Sequence, residues 1–170
     1  MRTRLRLAIP LLTALGLGAC ATGPAPIRGE FSAISPEQAS AQGAPGASVR
    51  WGGSLIAVEP ESARTCFVVL SRPLDASGRP QRKREVTDGR FIACRGGFYD
   101  PALFAEGRDV TFTGRVGGFE ERSIGAYPFK YPKLDAEVVY LWEEREERID
   151  PRYAYPYRSP YWGPWWRPFW

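Results

Sequence analysis

The sequence predicts an all-β domain: a small five-stranded, OB-like antiparallel barrel with a short helix between strands three and four. Three observations predict it. Five runs between residues 49 and 144 are rich in aromatic and β-branched residues, and most alternate with a period of two. The stretch between the third and fourth runs carries a helix-start signature. A domain of this size also closes most of its strand edges by curling the sheet on itself. An open meander or a small sandwich has the same strand spacing and stands as the alternative.

The elements follow in order. "VRWGGSLIAVE" (49 to 59) puts Trp51, Gly53, Leu55 and Ala57 on one face, and its glycine pair marks a bend or a close backbone approach. "TCFVVLS" (65 to 71) is an apolar run that Pro73 ends, and "GRFIACRG" (89 to 96) is a shorter strand. In "GGFYDPALFAEG" (96 to 107), Asp100 caps a helical turn opened by Pro101, with Leu103 and Phe104 facing inward and Gly107 ending it. "RDVTFTGRVGGF" (108 to 119) sets Val110, Phe112 and Val116 against Thr111, Thr113 and Arg115. "LDAEVVYLWEE" (134 to 144) gathers Leu134, Ala136, Val138, Tyr140 and Trp142 on one face, and "EEREERI" (143 to 149) is its solvated end or a short helix.

Ahead of the strands, residues 1 to 20 have a positive start (Arg2, Arg4, Arg6) and an apolar segment over 7 to 15, as an export signal does. The run closes on Leu17-Gly18-Ala19-Cys20, which resembles the bacterial lipobox. That resemblance implies cleavage before Cys20 and lipid on its thiol and new amine; two or three acyl chains anchor stably where one does not. Ala21, rather than Asp, implies sorting to the outer membrane. The domain plan is therefore a signal peptide (1–19), a lipidated N-terminus and flexible tether (20–48), a β-barrel (49–150) and an aromatic, proline-rich tail (151–170). Within the tether, Ser35-Pro36-Glu37-Gln38 is suited to start a short helix over Pro36 to Ala41.

Composition excludes several functions. Lys and Arg number 23 against 19 acids, but Arg2, Arg4 and Arg6 leave with the signal, so the remaining chain is nearly neutral and nucleic acid is not an expected partner. The chain has no histidine, which rules out the usual Ser/His/Asp and Cys/His triads and most catalytic zinc sites. Lys83, Lys130 and Lys133 stand in no nucleophile motif, and "GRVGGF" is no phosphate-cradling loop. No enzyme activity, cofactor or metal is expected. Cys66 and Cys94 lie in strand runs of an exported chain, where a bridge would stabilise by about 3 kcal/mol on the loop-entropy estimate; two buried thiols are the alternative.

Arg50-Trp51-Gly52-Gly53, Pro73-Leu74-Asp75, Gly78-Arg79-Pro80, Gly89-Arg90-Phe91, Asp100-Pro101, Gly107-Arg108, Val110-Thr111, Gly114, Gly118, Ile124-Gly125, Tyr131-Pro132 and Leu141-Trp142, in that order and spacing, resemble the starvation-inducible outer-membrane lipoprotein family, the Slp family, of Gram-negative bacteria. The resemblance covers roughly residues 24 to 145 besides the lipobox, and leaves the tail after about residue 150 outside it. It implies a lipid-anchored protein facing the periplasm from the outer membrane and linked to stress or stationary phase, with no catalytic or ligand set to carry over.

Three sites are candidates for contact. Trp51, with Gly52 and Gly53, would either line a groove or fill the core. "GRPQRKRE" places Arg79, Arg82, Lys83 and Arg84 in a polar loop that would touch anionic headgroups or lipopolysaccharide phosphates, or be merely solvated. The tail holds Trp162, Trp165, Trp166 and Trp170 among nine aromatic residues, with Pro156, Pro160, Pro164 and Pro168 forbidding a stable helix. Aromatic rings beside arginines suit a lipid interface, stacking on glycan, or packing back on the barrel. The sequence thus predicts a non-enzymatic envelope lipoprotein that binds lipid, glycan or protein, with a periplasmic small-ligand-binding module using the barrel mouth as the alternative.

Overall fold

A computed structural model describes residues 23 to 82 and 86 to 145. The signal peptide, Cys20, Lys83, Arg84 and the tail with Trp162, Trp165, Trp166 and Trp170 lie outside the described residues. A 3-10 turn (Ala25–Ile27) and helix α1 (Pro36–Gln42) precede five strands: β1 (Ser48–Pro60), β2 (Arg64–Ser71), β3 (Arg90–Gly96), β4 (Asp109–Ile124) and β5 (Tyr127–Leu141). They pair in the order β1-β2-β3-β5-β4, and β4 returns to β1 to close the sheet.

The predicted architecture needs correcting. The sheet is mixed, because β3 and β5 run parallel where Ile92, Ala93 and Cys94 face Lys133, Leu134 and Asp135. No helix stands between strands three and four: residues 97 to 108 are turns, and the helix comes before β1 instead. Asp100 does cap, its carboxylate accepting from Ala102 N–H at 2.8 Å, but only one turn forms. Phe104 packs inward as expected, whereas Leu103 is exposed.

Inside the barrel, Trp51, Leu55, Phe67, Val69, Phe91, Phe112, Val116 and Leu134 form the main core. Phe67 meets Phe112 with centroids 5.3 Å apart, and Phe91 meets Phe112 edge-on at 5.8 Å. One end is stoppered by Tyr99 and Phe104 of the 97–108 segment, both on Phe67 at 5.4 and 5.3 Å. Ala39 of α1, with Ile34, Ala44 and Ala47, packs against the same core. Glycines allow this tight winding: a Cβ on Gly53 would strike the Leu70 carbonyl, and one on Gly114 the Asp135 carbonyl.

Two bulges displace the predicted faces. The β1–β2 register slips between Leu55 and Ala57, so Val58 rather than Ala57 reaches the barrel core, and Ala57 goes to the outside. The β4–β5 register slips at Thr113/Gly114, where one β5 residue is passed over. Beyond it Val139 and Leu141 turn to the core, and Trp142 covers the outer face. A one-residue slip exchanges every later side chain between faces.

β4 and β5 continue as an arm past the barrel to a turn at Gly125. Ile124, Phe129 and Tyr131 of the arm lie on the outward residues Cys66, Val68, Ile92 and Cys94, which makes a second small core. Arg122 ties the arm to Glu59 of β1 through two bonds of 2.8 and 2.9 Å. β2 is thus buried on both faces, which is why "TCFVVLS" is a continuous apolar run. Cys66 and Cys94 stand directly opposite each other on β2 and β3 and are joined as a disulfide within this outer core.

The expected flexible tether is also corrected for residues 23 to 47. Ile27 is fully buried, Ser32 bridges to Val49, and α1 is fixed by a capping box between Ser35 and Gln38. The segment lies along the barrel instead of hanging from it.

Candidate functional site

Trp51 belongs to the core. It is almost fully buried, packs against Phe91 with tilted rings 5.3 Å apart, and donates its indole N–H to the Ile34 carbonyl at 2.8 Å. The two glycines after it serve packing as well. Gly52 faces outward, where Leu74 and Thr111 leave no room for a Cβ, and Gly53 crosses the β2 backbone.

The described part of the basic loop, through Arg82, is tied down on the barrel. Asp75 sets its turn, accepting from Ser77 N–H (2.8 Å), Ser77 Oγ (2.6 Å) and Arg79 N–H (3.0 Å). Burial works against the Asp75 charge, but these bonds outweigh it and hold the carboxyl below its ordinary value. Downstream, the side chain of Asp109, only 2 % exposed, gathers three guanidinium groups: Arg82 at 2.9 Å, Arg145 at 3.3 Å and Arg79 at 3.8 Å. Arg82 also donates to the Gly107 carbonyl, Arg145 to Pro80 O, and Arg79 to Glu143 O. Arg79 further lies 5.4 Å from the Trp142 ring, and the Trp142 indole donates to Thr111 Oγ1, which itself donates to Gly78 O. Arg79 and Arg82 are therefore ties between the loop, β4 and the segment after β5.

The N-terminal end of the described chain arrives at the same place. Gly23 is pressed on the Ser77 carbonyl, and Ile27 sits against Gly78, with Arg50 donating to the Ile27 carbonyl at 3.2 Å. Gly23, the loop through Arg82 and residues 143 to 145 after β5 thus converge on the turn at 75 to 82. No spacing in the sequence announces this convergence. Asp109, its central group, reads in the sequence as one member of an ordinary ion pair on or between strands.

An open groove of about 550 Å³ lies elsewhere, between α1 and the arm, lined by Glu37, Ser40, Arg90, Tyr127, Phe129 and Lys130 among others. Among the described residues there is no cluster of three metal-ligating side chains, and no helix is long and apolar enough to cross a membrane.

The sequence profile of the outer membrane lipoprotein Slp family matches residues 17 to 170. The chain belongs to the Slp family. The match takes in the lipobox and also the aromatic tail, which the resemblance of individual motifs had left outside. The chain is 30% identical over 142 residues to the uncharacterized lipoprotein YeaY of Escherichia coli (strain K12), covering 81% of this chain and 72% of YeaY. It is 28% identical over 109 residues to an uncharacterized protein of Haemophilus influenzae, covering 64% of this chain and 56% of that protein. A small single-stranded DNA-binding protein from Streptomyces coelicolor superposes with a TM-score of 0.35 at 12% identity, over 55% of this chain and 92% of the other, a likeness too slight to bear on fold or function. As a Slp-family member the chain is a non-enzymatic outer-membrane lipoprotein.

Proposed function

We propose that this Slp-family protein works at the periplasmic face of the outer membrane, lipidated on Cys20, and supports envelope integrity under stress through contacts made by its outer surface with lipid, glycan or protein. The observation that supports this reading is the filled barrel. Aromatic side chains occupy its interior, and Tyr99 with Phe104 stoppers one end while α1 and its flanks pack on the same core. A small-ligand module using the barrel mouth needs an apolar cavity of several hundred Å³, and the stoppered interior disfavours that alternative.

The test is complementation of an outer-membrane barrier defect in the parent organism lacking this chain. Native protein should restore the barrier, and an exported Cys20→Ala version should not. Equal rescue by the unlipidated version would contradict a role exerted at the membrane surface.

A further inference from the structure

The segment from residue 97 to 108 has two kinds of apolar side chain. Tyr99 and Phe104 turn inward and close the barrel, whereas Phe98 and Leu103 point away and are 74% and 64% exposed. The tip is well fixed. Leu103 N–H donates to the Asp100 carbonyl at 3.0 Å, and Arg108 donates to the Leu103 carbonyl at 3.3 Å. Stoppering the barrel requires only the inward pair, so two large exposed apolar side chains on a rigid tip are not explained by folding.

Their location suggests what covers them. Arg82 joins this segment, at the Gly107 carbonyl, to the turn on which Gly23 is seated. Cys20 precedes Gly23 by three residues, so a lipid there attaches within about 11 Å of chain from this turn. We infer that the 97–108 tip inserts Phe98 and Leu103 into the headgroup region of the bilayer that holds the lipid anchor. This rests on the lipidated, membrane-surface reading above. The charges beside the tip are mixed, Arg82, Arg108 and Arg145 against Glu106, Glu143 and Glu144. Insertion is therefore apolar in origin and needs neither anionic lipid nor low salt.

The experiment places a thiol at one position at a time, F98C, L103C or Y127C, in the processed lipidated protein. Cys66 and Cys94 are bridged, so the new thiol alone takes an environment-sensitive fluorophore. In phosphatidylcholine vesicles the probe at 98 and 103 should shift to the blue and be quenched by a lipid-borne quencher at least fivefold more than at 127, the exposed site on the arm. Adding phosphatidylglycerol or salt should change this less than twofold, and a chain ending at residue 150 should retain it. An aqueous spectrum at 103, insertion only with anionic lipid, or loss with the tail would each overturn the proposal. Lipidated protein that does not sediment with vesicles would overturn the anchored reading as well.

Discussion

Asp109 shows how much one residue can hold. It is buried at the start of β4, and its charge is balanced by Arg82 of the loop and Arg145 after β5. Removing one partner of a buried charge cluster leaves the others uncompensated, though Arg82 and Arg145 are partly exposed and can rehydrate. Asp109→Ala should therefore cost about 3 kcal/mol in urea unfolding and loosen residues 75 to 82 toward proteases. Gly53→Ala should cost a further two to three kcal/mol, about what overpacking does, because its Cβ meets backbone that cannot step aside. Acid acts through named carboxylates. Hydrogen bonds from Lys133 and Arg122 hold Glu120 below its ordinary value, so its contribution is present above the usual carboxylate range and is lost as pH falls through the depressed value. Asp88 is the opposite case: burial, then Glu37, raises its pKa, so its charge is a cost at neutral pH that acid relieves. Asp88→Asn should raise the thermal midpoint at pH 7, with the gain fading as pH falls through the raised Asp88 value into the ordinary carboxylate range.

At the scale of elements, the strands were legible and their twists were not. Phe67 and Phe112 announce buried strands because alternation and β-branched runs are local properties. The slips at Leu55/Ala57 and Thr113/Gly114 depend on how the sheet must coil to close, so Val139 and Trp142 take faces opposite to those that simple alternation gives them. Pro101 and Asp100 promise a helix, but Tyr99 and Phe104 must both reach Phe67, and one turn is what fits. The arm was not legible, because the strand runs stop at Phe119 and resume only at Leu134, yet Arg122 and Glu59 pin it across β2. The helix cap was readable outright: Ser35→Ala removes the bond to Gln38 N–H and should cost about 1 kcal/mol. Cys66 and Cys94 were placed in strands by composition, but their pairing came from the β2–β3 register. Replacing both with Ala should cost between about 3 and 4 kcal/mol, seen as a lower urea midpoint that reducing agent no longer affects.

For the whole molecule, the lipobox and near-neutral charge indicated an exported, membrane-held body, and family membership agrees with that placement. What composition concealed was the docking of residues 23 to 47. A stretch rich in Ala, Pro, Gly and Ser has the composition of a linker, and only Ile27, Ile34 and Ala39 finding buried sites turns it into part of the body. The orientation of the barrel depends on this. A docked segment holds Gly23 at the turn at 75 to 82, so a lipid on Cys20, as proposed above, would be tied to that side of the barrel, whereas a free segment would let any face meet the bilayer. Amide hydrogen exchange of the mature protein tests it most directly. The amides of Ile27, Ala39 and Gly43, which donate to Pro24, Ser35 and Ala39, should exchange with protection approaching that of β2. Exchange of residues 23 to 47 at the rate of an unstructured chain would contradict the docked segment and the oriented barrel together.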